Sequence, residues 1–346
     1  MTDPPNHDDL LEVLTGRRMN RRSVVLGAIG AAGAVVIGPA GSALGATRRV
    51  ANTKQIAFAQ PDTGASIWNV LMKGAKIAAK KRGYQLLESH ANSQLDAQIN
   101  ELNTWIAQGI GGVIVLPLDN NSMGPLIKKA HAAGVKFLDY SDKALPGVDG
   151  WVIFNNPQGA QQVGTYAGQW VNKTLGGKAE VALLTHEIQV TGRQRIHGGI
   201  AALQKVAPGA KVVAKHEAVL SADALPVVQS MLQAHPNLNV ILCIADDGCL
   251  GAERAFLQTN PSKARQAQML IAGWDGSVPA IQKVLSGSTI RATGALDAIG
   301  IGEASIDATA NAIEGKKPVD INFPYVLVSQ SPAGIATGKK ILKEIG

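Results

Sequence analysis

The stretch Met269-Leu270-Ile271-Ala272-Gly273-Trp274-Asp275-Gly276-Ser277 opens as a buried strand of apolar residues and stops at an aromatic, an acid and a glycine. A helical segment, Val278 to Leu285, follows at once. In open α/β sheets, ligands sit in the crevice outside the carboxyl ends of the strands. Placed there, Trp274 offers a flat apolar face and Asp275 a charge-assisted acceptor. Taken alone, the stretch favours a plainer reading, a tight strand–helix loop with Asp275 as a helix cap and Trp274 as packing. The other strand ends decide between the two.

Working outward, the same alternation fills the chain from Lys54 onward. Gln55 to Gln60 is a short apolar strand, and Ser66 can cap a helix carrying Ile67, Val70, Leu71 and Ile77 at helical spacing. Further strands are expected over 84–87, 112–116, 135–138 and 151–154, with helices over 95–108 and 122–132. The second half repeats the pattern, with strands over 179–184, 211–216, 240–244, 291–296 and 325–328. Its helices are expected over 158–175, 191–206, 223–234, 246–257, 300–314 and 334–344. Such alternation means parallel sheets with helices on both faces. The strands are too many for one Rossmann unit, so the expected fold is α/β, with two similar Rossmann-like lobes. A chain of 346 residues, 46% hydrophobic, has the length and the core for two domains.

Composition excludes several classes. The net charge is +7, but the Lys and Arg residues are scattered, and aromatics make up only 4% of the chain. Single-stranded nucleic-acid binding wants stacking platforms in a basic groove, so no nucleic-acid partner is expected. No zinc spacing is evident, and no metal or cofactor is expected. Cys243 and Cys249 flank a strand end and read as small buried hydrophobes, with pairing left to local geometry. Asn20-Arg21-Arg22-Ser23-Val24-Val25-Leu26 places two arginines directly before a charge-free run that reaches Ala46. Residues 1–46 therefore look like a twin-arginine export signal, with a small-residue cleavage zone near Ala43-Leu44-Gly45-Ala46. An uncleaved anchor is the alternative, since the run is long enough to span a bilayer, but its glycines and Pro39 weaken it. The expected location is extracytoplasmic.

Several strand ends in both halves are polar and rich in glycine or proline: Pro61-Asp62, Pro117-Leu118-Asp119, Ser141-Asp142, Asn155-Asn156, Ala245-Asp246-Asp247-Gly248, Trp274-Asp275-Gly276 and Leu296-Asp297. A row of helix caps would look the same. If the carboxyl edges of two lobes face one another, however, these groups converge on one cleft. Carboxylates and amides beside Arg193 and Arg195 match a polyhydroxy ligand, because each hydroxyl is donor and acceptor at once. Trp274 and Trp68 would cover apolar C–H faces of a sugar.

On these residues the chain resembles the bacterial periplasmic sugar-binding proteins of the ribose-binding type, which feed ABC importers. The stretch from Ile67 to Ala75 followed by Lys81-Arg82-Gly83-Tyr84 is similar to the family's first helix and next strand. Gly111 to Pro117 resembles its third strand, and Arg195 to Leu203 the arginine-started helix of its second lobe. His235-Pro236-Asn237-Leu238 with Asp246 to Ala252, and Gly273-Trp274-Asp275-Gly276, resemble two further signatures. The resemblance runs from about Lys54 to Val328 and implies two lobes joined by hinge crossovers near Asn155, Leu296 and Pro324. It places 50–155 and 296–323 in one lobe, and 156–295 and 324–346 in the other.

Carried over residue by residue, the resemblance implies Asp275 and Arg195 as ligand-binding residues and Trp68 as a stacking aromatic, with Ile67 where the family has another aromatic. Ser141 and Asp142 fall at a family aspartate position, Asp297 stands in for an absent glutamine, and Asn156 lies with Asn155 on the first crossover. Ala245 occupies the place of a ligand asparagine, which leaves Asp246 and Asp62 as further candidates. Fewer aromatic faces and more carboxylates favour a pentose or short sugar alcohol over a hexose. The implied protein is a monomer that does no chemistry and delivers its ligand to a membrane permease. A sugar-sensing receptor without transport is the alternative. An exported enzyme is a weaker one, because His186-Glu187 and His197 have no nucleophile or metal spacing beside them.

Overall fold

The computed structural model describes residues 52–61, 65–141, 145–317 and 320–345. The export-signal expectation, Asp62 and Asp142 therefore lie outside the described residues. Along the first half run β1 (Asn52–Gln60), α1 (Ser66–Arg82), β2 (Gln85–His90), α2 (Leu95–Gln108), β3 (Ile110–Val115), α3 (Met123–Ala132), β4 (Lys136–Ser141) and β5 (Gly150–Phe154). The second half begins with α4 (Asn156–Leu175), β6 (Lys178–Thr185), α5 (Val190–Val206), β7 (Gly209–Glu217), α6 (Ser221–Ala234), β8 (Leu238–Cys243) and α7 (Asp246–Gln258). It ends with α8 (Lys263–Ala267), β9 (Leu270–Asp275), α9 (Val278–Leu285), β10 (Ile290–Ala295), α10 (Ala298–Ile313), β11 (Ile321–Phe323), β12 (Val326–Ser329) and α11 (Pro332–Ile345).

The strands form two sheets, ordered β11-β5-β4-β3-β1-β2 and β12-β10-β9-β8-β6-β7. Both are parallel except where β12 runs antiparallel to β10. Setting aside the outermost strand, β11 or β12, each sheet follows one doubly wound order, with its first strand between its second and third. The strand order reverses there, and that reversal opens a crevice at the carboxyl ends. Central strands are apolar throughout, as parallel strands covered on both faces require: every residue of β3 and β9 is buried. The edge strands β2 and β7 are mostly exposed or half-buried.

The chain passes between the sheets at three places, from β5 to α4, from β10 to α10, and from β11 to β12. Helix α10 packs on α1 of the first lobe, whereas α4 packs on α5 of the second. Both helix pairs cross closely over small residues. A Cβ on Gly164 of α4 would lie 2.1 Å from the Gly199 carbonyl oxygen of α5.

The expected two-lobed parallel architecture is the observed one, with local differences. Ser122 does not open a helix. It ends a 3-10 turn that Asp119 caps, and α3 starts at Met123. Ser66 is the first residue of α1, whose N-cap is Ala65 with no side-chain hydrogen bond. The short α8 and β11 have no counterpart in the expected pattern, being too brief to show a period.

Candidate ligand-binding site

β9 ends at Asp275 and the chain then turns sharply: Asp275 has φ +121° and Gly276 φ +71°. Positive φ costs a non-glycine residue of order 1–3 kcal/mol, so the surroundings must hold Asp275 in place. A Cβ at Gly276 would come within 2.3 Å of Ala295 Cβ, so only glycine fits there. Helix α9 is capped by Ser277, whose hydroxyl accepts from the Ala280 N–H at 3.4 Å. Asp275 is thereby not its cap. Its carboxylate turns instead to Arg195, accepting from Nη1 at 2.9 Å.

Arg195 projects from the second turn of α5 and is 6% exposed. It also donates to the Ile244 carbonyl at 3.1 Å, the Asn156 side-chain oxygen at 3.3 Å and the Tyr325 hydroxyl at 2.7 Å. That hydroxyl in turn donates to Asn156 Oδ1 at 2.9 Å. Asn156 stands just after the first crossover and Tyr325 within the third, so one guanidinium ties the hinge to the end of β9. Burial alone would lower the Arg195 pKa, but Tyr325 and Asp275 reverse the direction and raise it, so the guanidinium stays charged. Burial pushes the Asp275 carboxyl up to about 6, against the pull of Arg195.

This pair lies in the wall of a small cavity between the lobes. The second lobe lines it with Gln189, Thr191, Arg195 and Asp275, and the first lobe with Ala65, Trp68, Ser93, Leu116 and Phe154. Among the described residues, the first-lobe wall is therefore mostly apolar and the second-lobe wall mostly polar. Trp68 is half-buried and stands edge-on to Tyr140, with ring centroids 6.3 Å apart. Trp274 is fully buried beneath the site, where Cβ atoms on Gly199 and Gly294 would meet its ring at 2.8 and 2.7 Å. It packs; it does not line the cavity.

The remaining candidates are placed variously. Asp246 is fully buried, accepting from the Ser277 N–H at 2.8 Å and the Thr293 hydroxyl at 3.0 Å, and it does not line the cavity. Burial, and then the charge of Asp275, raise its pKa well above the usual carboxylate range. Ser141 is buried at the end of β4, 3.4 Å from Asp139 Oδ1, and Asn156 sits in the hinge network behind the cavity wall. Asp297 is exposed, caps α10 through the Gly300 N–H at 2.8 Å and borders a different groove, beside α11.

Three participants were not among the ligand-binding candidates. Tyr325 carries no motif beyond its place after Pro324. Thr191 lies one helical turn before Arg195, and that spacing is the signal that points to it. The third is Asp247, at the start of α7, which accepts from the Ser66 N–H at 2.9 Å and the Ser66 hydroxyl at 3.1 Å across the lobes.

The model of the periplasmic binding protein domain matches residues 56–317. The xylitol-binding protein of Mycolicibacterium smegmatis is 28% identical over 273 residues, 77% of this chain and 74% of that protein. The ribose import binding protein of Bacillus subtilis is 26% identical over 265 residues, 75% of this chain and 82% of that protein. Among solved structures, the Caulobacter myo-inositol binding protein bound to myo-inositol shares the fold, with a TM-score of 0.73 at 21% identity over 84% of this chain and 97% of that one. So does an ABC transporter solute-binding protein from Mycobacterium smegmatis with bound glycerol, with a TM-score of 0.72 at 24% identity over 81% of this chain and 96% of that one. A match that runs through both lobes and the first two crossovers is not a local likeness, and the chain belongs to the periplasmic binding protein domain family.

Proposed function

We propose that this protein captures a small sugar or sugar alcohol, a pentose or short alditol, between its lobes and hands it to the permease of an ABC importer. The observation that carries the reading is the buried Arg195–Asp275 pair in the wall of a cavity that both lobes line. A carboxylate held by its own arginine is a fixed acceptor for hydroxyl groups, and Trp68 and Phe154 line the same space as apolar rings. The polyol ligands in the names of the xylitol and ribose relatives support the same class.

The protein binds and releases its ligand without chemistry, and lobe closure around the ligand is the state a permease would recognise. Asp142 and Asp62 are further ligand contacts in this reading. Export through the twin-arginine route would place the monomeric protein outside the cytoplasmic membrane. The test is differential scanning fluorimetry followed by calorimetry against xylitol, ribitol, D-ribose, D-glucose and glycine. Binding of a pentose or pentitol at about micromolar affinity, near −8 kcal/mol, is expected. Binding of glucose or glycine alone would overturn the reading.

A further inference from the structure

Thr191 is 6% exposed, lines the cavity, and its hydroxyl oxygen has no hydrogen-bond partner among the described residues. Burying a hydroxyl without a partner is costly, so such a group calls for a ligand. Its position sharpens this. Thr191 is the second residue of α5, whose N-cap, Gln189, makes no side-chain cap bond and whose first turn holds no acid. The N–H groups at that helix start, which have no intrahelical partner, belong to the same turn as the hydroxyl that lines the cavity. One turn further along the same face of the helix is Arg195, and beyond it Asp275.

Charge decides what fits. An uncapped helix start attracts anions on its own. Here Asp275, with Asp247 close behind in the first turn of α7, stands against Arg195 in the cavity wall. A carboxylate or phosphate ligand would meet these acids, whereas a neutral hydroxyl accepts from the helix start and donates to a carboxylate.

We propose that Thr191 is a ligand-binding residue, which with the open first turn of α5 holds one hydroxyl oxygen of a neutral polyol and sets the site against sugar acids. The inference rests on the polyol reading given above. Three proteins, the wild type, Thr191→Val and Thr191→Ser, are titrated by calorimetry with xylitol, ribitol, D-ribose and D-ribonate, and their ligand-free melting temperatures are measured. Thr191→Val weakens binding of the neutral ligand about tenfold, about 1.4 kcal/mol. Thr191→Ser stays within about threefold of wild type, and D-ribonate does not bind. The ligand-free melting temperature of Thr191→Val is unchanged or raised, because the valine removes a hydroxyl that has no partner among the described residues. Wild-type binding that Thr191→Val leaves intact overturns the inference and spares the polyol reading. Loss of binding in Thr191→Val together with a fall in its ligand-free melting temperature assigns Thr191 a structural role, and tight D-ribonate binding removes the selectivity against acids. No wild-type binding of any neutral probe overturns both.

Discussion

The carboxylate of Asp247, at the start of α7 in the second lobe, caps Ser66 at the start of α1 in the first, with bonds of 2.9 and 3.1 Å. Helix α1 has 17 residues, an alanine at its N-cap and no acid in its first turn. Its positive end is therefore satisfied from across the cleft. A cap of this kind contributes about 1 kcal/mol, and here it acts only while the lobes are together. Asp247→Ala is expected to weaken ligand affinity about fivefold and to enlarge the ligand-bound radius of gyration in small-angle scattering. Asp247→Asn, which keeps an acceptor oxygen, should lose less. Equal affinity in all three proteins would remove the latch.

Asp275 gives the site a pH dependence. Burial raises its folded pKa to about 6 from a reference of 3.8. Stability contributed by a raised carboxyl is present below the unfolded pKa and is lost as pH rises through the folded one. The difference in unfolding free energy between wild type and Asp275→Asn should therefore fall between pH 4 and pH 7, by up to roughly 3 kcal/mol. Ligand affinity runs the other way. An ionised carboxylate is the better acceptor, so binding should weaken as pH drops below about 6. Urea titrations and calorimetry over that range check both slopes, and flat profiles in each would contradict the assignment.

The lobes and most elements were legible because they rest on local burial. Strands such as β9, buried at every position, and helices with apolar residues three and four apart carry their own signature. Asp275 and Arg195 stood out because one ends such a strand and the other opens the segment that resembles the family. What periodicity does not report is which strand end faces which. Ser66 and Asp247 are 181 positions apart, and Tyr325 meets Arg195 across 130. Asp297 and Asp275 look alike in sequence, each an acid after a strand, yet Asp297 is a helix cap and Asp275 is not. The difference is made by Ser277, which takes over the cap two residues later.

Tyr325 tests how the hinge is tied to the site. Its hydroxyl accepts from Arg195 at 2.7 Å and donates to Asn156 at 2.9 Å, all three side chains being buried. Burial also pushes the phenol up to about 12, so it stays protonated and keeps its donor. Tyr325→Phe preserves the ring packed on Gly159 and Gly294 but strands a buried charged donor. A loss of about 2 kcal/mol in urea unfolding is expected. A loss under about 0.5 kcal/mol would mean that the guanidinium re-pairs within the second lobe.

Two glycine-to-alanine substitutions should differ widely in effect. At Gly124, in the first turn of α3, a Cβ meets nothing within 4 Å. Alanine there narrows the unfolded ensemble, but its Cβ crowds the Pro125 ring in the helical conformation, so stability should change by less than about 0.5 kcal/mol. At Gly164 the added carbon would lie 2.1 Å from the Gly199 carbonyl oxygen and 2.8 Å from the Ala202 Cβ. Neither atom is the far end of a flexible chain, so α4 and α5 must separate, at a cost of about 1–3 kcal/mol. That separation also carries Arg195, on α5, away from Asn156, at the start of α4. Gly164→Ala should therefore lower both the melting temperature and ligand affinity, while Gly124→Ala leaves both close to wild type. If Gly164→Ala lowered stability with affinity unchanged, the α4–α5 crossing would support the fold without setting the position of Arg195.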